Sequence, residues 1–207
     1  MLFYKTIDTQ TLELLKGLLS APVFSNLRLA GGTSLALQYG HRQSIDLDLF
    51  GVVTADEITI SKVLSGFGNL TIIKNSANIH IYSLNGIKVD IVNYHYPWLE
   101  TFIAEEGLRL AHEKDIGAMK LAAVTGRGTK KDFIDLYFLL KHFTLKDLIT
   151  AYKTKYHDGS EFLVLKSLTY FDDAEKDAEP KMLIPVSWKL IKEKIVLTQN
   201  EYFRNSL

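Results

Sequence analysis

Two aspartates stand close together in a segment whose pattern predicts a strand. Asp46 and Asp48 lie in SIDLDLF (residues 44–50), where acidic and apolar residues alternate. Side chains two residues apart in a strand point to the same face, about 6.5–7 Å apart along it. The opposite face would then be apolar and point into a core, with Ile45, Leu47 and Leu49. The pattern predicts two carboxylates on one face, which repel each other unless a cation or a proton lies nearby.

A third aspartate has similar surroundings. Asp90 lies in IKVDIVNY (87–94), between Val89 and Ile91. Three aspartates from two strands supply the oxygen ligands of one or two Mg²⁺ ions. Two such ions could bridge a nucleoside triphosphate and an attacking oxygen. Two alternatives stay open: Asp46 and Asp48 could be solvated acids on an exposed strand face, and Asp90 an edge-strand charge beside Lys88.

A glycine turn precedes these aspartates. Gly31, Gly32, Thr33 and Ser34 follow the short apolar run LRLA (27–30) and open a candidate helix. A strand that runs through glycines into a helix presents backbone N–H groups to an anion, and the missing Cβ atoms let a phosphate approach. The hydroxyls of Thr33 and Ser34 could add hydrogen bonds. A Gly-Gly pair can also be a simple turn.

His41 and Arg42 lie between this helix and the aspartate strand. The guanidinium of Arg42 suits either a phosphate or a carboxylate. His41 could support a site residue or contact an acceptor. The alternative is a solvated pair in a loop.

A local positive patch follows in the second half of the chain. Between residues 120 and 131 there are four basic residues and no acidic one, namely Lys120, Arg127, Lys130 and Lys131. Such a patch could offset the charge of a triphosphate and of the leaving pyrophosphate. It could also contact an RNA backbone, or be a solvated loop between helices.

Two aspartates follow this patch on a predicted helix. Asp132 falls inside the apolar arc of that helix and Asp135 at its edge, so each needs a partner if buried. The basic residues of the patch are the candidate partners, and a Thr129–Asp132 capping box is an alternative role for Asp132. We expect Lys120 to bind phosphate and Asp135 to orient a basic residue or the acceptor hydroxyl.

The surrounding elements predict an α+β fold, a mixed sheet flanked by helices and followed by a mostly helical C-terminal lobe. In the first half, the Thr54–Glu57 pair resembles a capping box, and Asn85-Gly86 is typical of a hairpin turn. We expect a core domain over residues 1–105 and a helical lobe over 106–207 that packs on it. Predicted strands cover 27–30, 44–50, 70–74, 78–84 and 87–93; predicted helices cover 9–19, 33–39, about 55–66, 113–125, 130–142, 145–156, 160–170 and 187–203.

The composition excludes several classes of protein. The chain has 24 Lys and Arg against 24 Asp and Glu, so it is not a globally basic nucleic-acid coat. The absence of Cys excludes disulfides, thiolate zinc sites and a cysteine nucleophile. No stretch approaches a membrane span, and the first residues have no basic start and apolar run of a signal peptide. We expect a cytoplasmic enzyme with no membrane partner.

The combined motifs resemble a known family. A glycine turn, a short helix, an alternating aspartate strand and a third aspartate resemble the DNA polymerase β-like nucleotidyltransferase superfamily. The segments GGTSLALQYGHRQSIDLDLF and DIGAMKLAAVTGRGTKKDFIDLYFLL are more specifically similar to the AbiEii/AbiGii toxin family. The similarity spans residues 25–175, roughly, and includes both segments in the order typical of that family.

The resemblance implies an enzyme that transfers a nucleoside monophosphate from an NTP, with Mg²⁺ or Mn²⁺ and release of pyrophosphate. It implies an RNA acceptor, such as the tRNA acceptor end, and a cognate antitoxin. It places Gly32 and Thr33 in the phosphate turn and makes Asp46 and Asp48 metal ligands, with Asp90 as third acid. Lys120 and Asp135 match the downstream motifs of the family. Two alternatives are a protein or small-molecule acceptor and a catalytically silent module that binds a nucleotide or a partner.

Overall fold

The computed structural model describes residues 1–206 and divides them into two compact units. The first unit contains residues 1–95 and 101–111, and the second contains residues 96–100 and 112–206. The boundary predicted at 105/106 falls inside a hairpin of the first unit. The two strands of this hairpin have three residues each, too few for the alternation that marks a strand in a sequence.

The first unit contains a seven-stranded mixed sheet and three helices, which confirms the predicted α+β class. The helices are α1 (Thr9–Ser20), α2 (Gly31–Tyr39) and α3 (Glu57–Ser65). The strands are β1 (Leu27–Leu29), β2 (Leu47–Gly51), β3 (Leu70–Asn75), β4 (Ile79–Leu84), β5 (Ile87–Asn93), β6 (Ile103–Glu105) and β7 (Leu108–Leu110). Their order across the sheet is β3-β4-β5-β2-β1-β7-β6. The pairs β2–β5 and β1–β7 are parallel, and the others are antiparallel.

The two faces of the sheet differ in character. One face, called the core face, buries the apolar residues of β2 and β5 against α1 and α3, among them Leu47, Leu49, Val89 and Ile91. The other, called the aspartate face, carries partly exposed residues of the same two strands, which are Asp48, Phe50, Lys88, Asp90 and Val92. The alternation along each strand therefore separates the chemistry-bearing residues from the core.

Local chemistry explains most departures from the predicted boundaries. The strand with Asp48 begins at Leu47 rather than at residue 44, so Ile45 is 59% exposed and the prediction that it points into a core is wrong. Helix α3 is capped by Asp56, whose carboxylate accepts from the Thr59 N–H, and not by Thr54. The hairpin turn at Asn85-Gly86 is confirmed, with positive φ angles at both residues.

The described residues of the second unit form five α-helices, one 3-10 helix (Ala174–Lys176) and the short segment 96–100. The α-helices are α4 (Glu113–Gly126), α5 (Lys130–Leu139), α6 (Leu145–Lys155), α7 (Glu161–Ser167) and α8 (Trp188–Ser206). None of the helices in residues 1–206 is both long and apolar enough to cross a bilayer.

A buried ion pair ties the segment 96–100 to this unit. The Lys155 Nζ lies 2.6 Å from Asp115 Oδ1 and donates to the carbonyl of Pro97. The Asp115 carboxylate also accepts the N–H groups of Leu99 and Glu100. Both charged side chains are fully buried, and these hydrogen bonds offset the desolvation of the charges.

Candidate active site

Asp48 and Asp90 lie side by side on the aspartate face. They are register partners in the parallel pair β2–β5, so their strands place them about 4.8 Å apart across the sheet. Both side chains are partly exposed, while their chain neighbours Leu47 and Val89 are fully buried. The sheet thus brings together two of the three predicted acids, and it does so in a central strand pair. The alternative that Asp90 is an edge-strand charge is wrong.

Asp46 lies one residue before β2, outside the regular ladder. Its backbone carbonyl accepts a hydrogen bond from the hydroxyl of Thr33, and its side chain is partly exposed. Within residues 1–206, no group of three His, Asp or Glu side chains is arranged to hold a metal ion. The role of Asp46 as a metal ligand therefore stays a prediction.

The chemistry of Asp90 fits a cation. Its Oδ2 accepts a hydrogen bond from Lys88 Nζ at 2.5 Å, whereas its Oδ1 is buried without a partner among the described residues. A buried carboxylate oxygen without a partner is costly, and a bound cation or a proton would satisfy it. Because Mg²⁺ is usually held by one or two carboxylates together with substrate phosphates, the pair Asp48 and Asp90 is a suitable donor set.

The glycine turn directly adjoins Asp48. Gly31 opens α2 with a φ of +63°, and an ideal Cβ at this residue would lie 2.2 Å from Asp48 Oδ2. The N–H of Ala30 donates to the backbone carbonyl of Asp48 at 2.8 Å. The first turn of α2, whose N–H groups have no partner within the helix, therefore begins beside a site carboxylate. A helix N-terminus suits a phosphate, and the adjoining carboxylate suits its metal ion.

The hydroxyls of the glycine turn have structural partners. Thr33 is buried, and its Oγ1 also contacts Ser44 Oγ at 2.8 Å, so it holds the segment that leads into β2. Ser34 is fully buried, and its Oγ accepts from Gln38 Nε2. The contact of the Thr33 and Ser34 hydroxyls with a phosphate therefore stays a prediction.

His41 and Arg42 are buried, so the alternative of a solvated loop pair is wrong. Arg42 is 2% exposed and is among the largest buried side chains of the protein. Its Nη1 donates to the carbonyl of Gln43 at 3.1 Å. Its predicted contact with a phosphate stays a prediction, and its burial shows that the guanidinium is part of the interior of the first unit.

The second motif forms a charged cluster inside the second unit, the Lys120 network (Lys120, Arg127, Asp132 and Asp135). Lys120 Nζ lies 2.8 Å from Asp132 Oδ1 and 2.7 Å from Asp135 Oδ2. Arg127 Nε lies 3.0 Å from Asp132 Oδ2, and its side chain is 68% exposed. The network joins α4 to α5 and explains why both aspartates can be buried.

The network also determines how Asp132 ionises. Burial by itself would raise the pKa of the Asp132 carboxyl, but the charges of Lys120 and Arg127 lower this pKa well below its ordinary value. Asp132 also completes the predicted capping box with Thr129 at the start of α5. The carboxylate therefore remains charged and has a capping role in addition to the ion pairs.

The other two basic residues of the patch differ in exposure. Lys131 is exposed, whereas Lys130 is buried and donates to the carbonyl of Asp177 at 2.8 Å. The exposed part of the patch is thus formed by Arg127 and Lys131. Their contact with phosphate, like that of Lys120, stays a prediction.

The ion pair of Lys88 with Asp90 was not predicted, although the two residues were expected to lie beside each other. That the glycine turn and the aspartates belong to one site was expected from the family resemblance. The direct approach of Gly31 to Asp48 depends on pairing between distant segments and leaves no local signal.

The comparisons identify the family. Residues 13–206 match the model of the family described as nucleotidyl transferase AbiEii toxin, type IV TA system. The chain belongs to the AbiEii toxin family. It is therefore a toxin-type nucleotidyltransferase of a type IV toxin–antitoxin family, as the resemblance implied.

Proteins similar to this AbiEii-family chain are known from two organisms. The chain is 35% identical over 199 residues to an uncharacterised protein of Aquifex aeolicus, aq_aa25, covering 93% of this chain and 96% of the relative. JHP933 from Helicobacter pylori has a similar solved structure, with a TM-score of 0.56, 22% identity and coverage of 97% and 96%. A second H. pylori structure, described provisionally as a nucleotidyltransferase, has a TM-score of 0.59, 21% identity and 96% coverage of both chains. At this identity, the two structures establish a shared fold.

Proposed function

We propose that this AbiEii-family enzyme transfers a nucleoside monophosphate from an NTP to an RNA acceptor, the tRNA acceptor end being the foremost candidate. The observation that carries the proposal is the pair Asp48 and Asp90, in register on adjacent parallel strands and adjoining the glycine turn. Carboxylates beside a helix N-terminus are suited to hold the metal complex of a triphosphate.

Asp48 and Asp90, with Asp46 as a further candidate, would hold Mg²⁺ or Mn²⁺. A bound divalent cation would supply charge neutralisation for the triphosphate and for the leaving pyrophosphate. The N–H groups at Gly31 and Gly32 would bind phosphate oxygens and orient the α-phosphorus for in-line attack.

The transfer exchanges one phosphorus–oxygen bond for another. The acceptor hydroxyl oxygen forms a bond to the α-phosphorus, and the bond from that phosphorus to pyrophosphate breaks. The hydroxyl loses its proton in this step. If the metal does not suffice to activate the hydroxyl, and Oδ1 of Asp90 does not bind the cation, this oxygen is the candidate acceptor of that proton. Lys88, paired with Oδ2, would keep this carboxylate oriented.

The second unit has its own exposed positive charge. The exposed side chains of Arg127 and Lys131 are candidates for binding triphosphate or RNA phosphates. Asp135 would hold Lys120 in place, and Lys120 would keep Asp132 charged so that Asp132 can orient Arg127. The family also implies a cognate antitoxin as a partner, and the reaction would take place in the cytoplasm, where NTPs and tRNA are available.

The test is transfer from each α-labelled NTP in turn to total tRNA or to total protein. We expect label in RNA with the wild type and a loss of about a hundredfold or more with Asp48→Asn. Asp172→Asn, at an exposed acid of the second unit, is the matched control and should retain activity. Titration with Mn²⁺ provides a separate readout, because Asp48→Asn should bind Mn²⁺ more weakly than the wild type.

The outcomes separate the rival functions. Label in protein rather than RNA would show that the acceptor is a protein, while the nucleotidyl transfer itself would stand. Transfer retained by Asp48→Asn would contradict the mechanism. Binding of Mn²⁺ and NTP without release of pyrophosphate under any condition would favour the silent binding module.

A further inference from the structure

The edge strand β3 contains a β-bulge at Ile73. Ile72 pairs with Tyr82 and Lys74 pairs with Ile81, so two steps along β3 match one step along β4. Bulges of this kind bend a strand and re-aim the side chains that follow, and they occur often beside active sites. The position of this bulge therefore decides which face of the sheet Lys74 occupies.

Without the bulge, Lys74 would lie on the core face. Leu70 and Ile72 pair with Leu84 and Tyr82, which are fully buried on that face. Simple alternation from Leu70 and Ile72 would place Lys74 with them. The extra residue instead moves Lys74 to the opposite face, because directly paired residues share a face and Ile81 pairs in turn with Asp90.

Lys74 is thus in register with the candidate site. A single row crosses four strands of the aspartate face, from Lys74 through Ile81 and Asp90 to Asp48. With about 4.8 Å between strands, the Cα of Lys74 lies about 10 Å from that of Asp90. Lys74 itself is exposed at the sheet edge, where its ammonium group can reach a ligand.

The charge around this row favours an anionic ligand. The chain is neutral overall, yet it contains no Asp or Glu between residues 58 and 89, a stretch that includes Lys62, Lys74 and Lys88. The β3–β4 connection contributes polar residues, Ser76 and Asn78, instead of acids. The aspartate face is therefore acidic at Asp48 and Asp90, and Lys74 supplies a positive charge at its β3 edge without an acid nearby in the sequence.

We propose that the acceptor RNA strand lies across β4 and β3 on the aspartate face and that Lys74 binds one of its backbone phosphates. This inference rests on the proposed RNA acceptor. RNA is favoured over an acidic protein because the row is continuous with the carboxylate pair where the acceptor end must react. Phosphates a few nucleotides away from the reacting hydroxyl would then pass over Lys74 at the β3 edge.

The test is binding of a 5′-fluorescent, single-stranded 12-nucleotide RNA to the full chain, measured by anisotropy in EDTA so that no transfer occurs. Lys74→Ala should weaken binding about two- to fivefold at 50 mM KCl, the range of an exposed ion contact. It should also reduce the slope of log K against log salt by about 0.7, as expected for one lost phosphate contact with a single strand. Lys74→Arg should restore both values.

Two further variants serve as control and as a test of the geometry. Lys62→Ala removes an exposed lysine of α3, the helix that packs on the core face, and should leave affinity and slope unchanged. Deletion of Ile73 removes the bulge and should reproduce the effect of Lys74→Ala, provided that circular dichroism shows a folded protein. If the deletion unfolds the chain, Lys74→Ala and Lys74→Glu test the inference instead. Lys74→Glu should then weaken RNA binding more than Lys74→Ala does.

The outcomes distinguish this inference from the proposed reaction. RNA binding that does not depend on Lys74, or no RNA binding by the wild type, overturns the inference. A Lys74-dependent affinity for polyglutamate without one for RNA also overturns it and indicates an acidic protein partner. Lys74-dependent RNA binding without label transfer to RNA supports the surface and contradicts the proposed reaction.

Discussion

Replacement of Gly31 by alanine should separate the chemistry of the site from the stability of the fold. A side chain at a φ of +63° costs about 1–2 kcal/mol of unfolding free energy. The added Cβ would also lie 2.2 Å from Asp48 Oδ2, so the carboxylate must retreat by about 1 Å to reach an ordinary contact distance. A misplacement of that size typically costs about a hundredfold in rate, which corresponds to about 2.7 kcal/mol of transition-state stabilisation.

Gly107→Ala is the matched control. Gly107 has a φ of +80° in the β6–β7 turn, and a Cβ there would meet nothing within 4 Å. Both variants should therefore lose similar unfolding free energy in urea, about 1–2 kcal/mol. In label-transfer assays Gly31→Ala should lose about a hundredfold in kcat/KM, and Gly107→Ala should remain close to the wild type.

One result would contradict a functional role for Gly31. If Gly31→Ala kept transfer and Mn²⁺ binding within about threefold of Gly107→Ala, the contact between the glycine turn and Asp48 would have no functional meaning. The glycine would then serve the backbone conformation of the turn alone.

Three further predictions concern the ionic groups. Lys120→Met should lower the unfolding free energy by about 3–5 kcal/mol in urea titrations, because it leaves the buried carboxylates of Asp132 and Asp135 without their cation. The pKa of Asp132 is lowered in the folded state. The contribution of its carboxylate to the unfolding free energy is therefore present above about pH 4 and is lost as the pH falls below that value. Urea titrations from pH 5 to pH 2 should therefore give a shallower loss of stability in Asp132→Asn than in the wild type. Lys88→Met should strengthen Mn²⁺ binding measured without nucleotide by up to about tenfold, because the ammonium competes for Asp90.

Each of these predictions has an opposing result. A Lys120→Met protein as stable as Lys131→Ala, a variant of an exposed lysine, would show that the network carries little stability. Parallel pH profiles for the wild type and Asp132→Asn would contradict the lowered pKa. Unchanged or weaker Mn²⁺ binding in Lys88→Met would show that the ammonium group does not compete with the metal for Asp90.

Local patterns predicted the strands of the site, because polar and apolar residues alternate there in step with exposed and buried positions. Asp48 and Asp90 each lie between fully buried apolar residues, so the faces of β2 and β5 follow from the sequence. The capping box at Thr129 and the turn at Asn85-Gly86 were also visible, since each depends on residues within a few positions of one another.

Features that depend on pairing between distant segments could not be predicted. The bulge at Ile73 leaves no mark in LTIIKN, where alternation alone places Lys74 on the wrong face. Arg42 looks like a loop residue until tertiary packing buries it. The helix cap and the basic partners of Asp132 were expected only as alternatives, and that it has both roles at once requires α4 and α5 to be adjacent.

The path of the chain between the two units limits how this toxin can be divided. It leaves the first unit after residue 95, contributes residues 96–100 to the second, and returns for residues 101–111. A gene fragment that encodes residues 112–207 therefore lacks the backbone amides that Asp115 accepts and the carbonyl to which Lys155 donates. Neither unit is a continuous piece of sequence. A version split at 111/112 would therefore reassemble through the hydrogen bonds of residues 96–100 with Asp115 and Lys155.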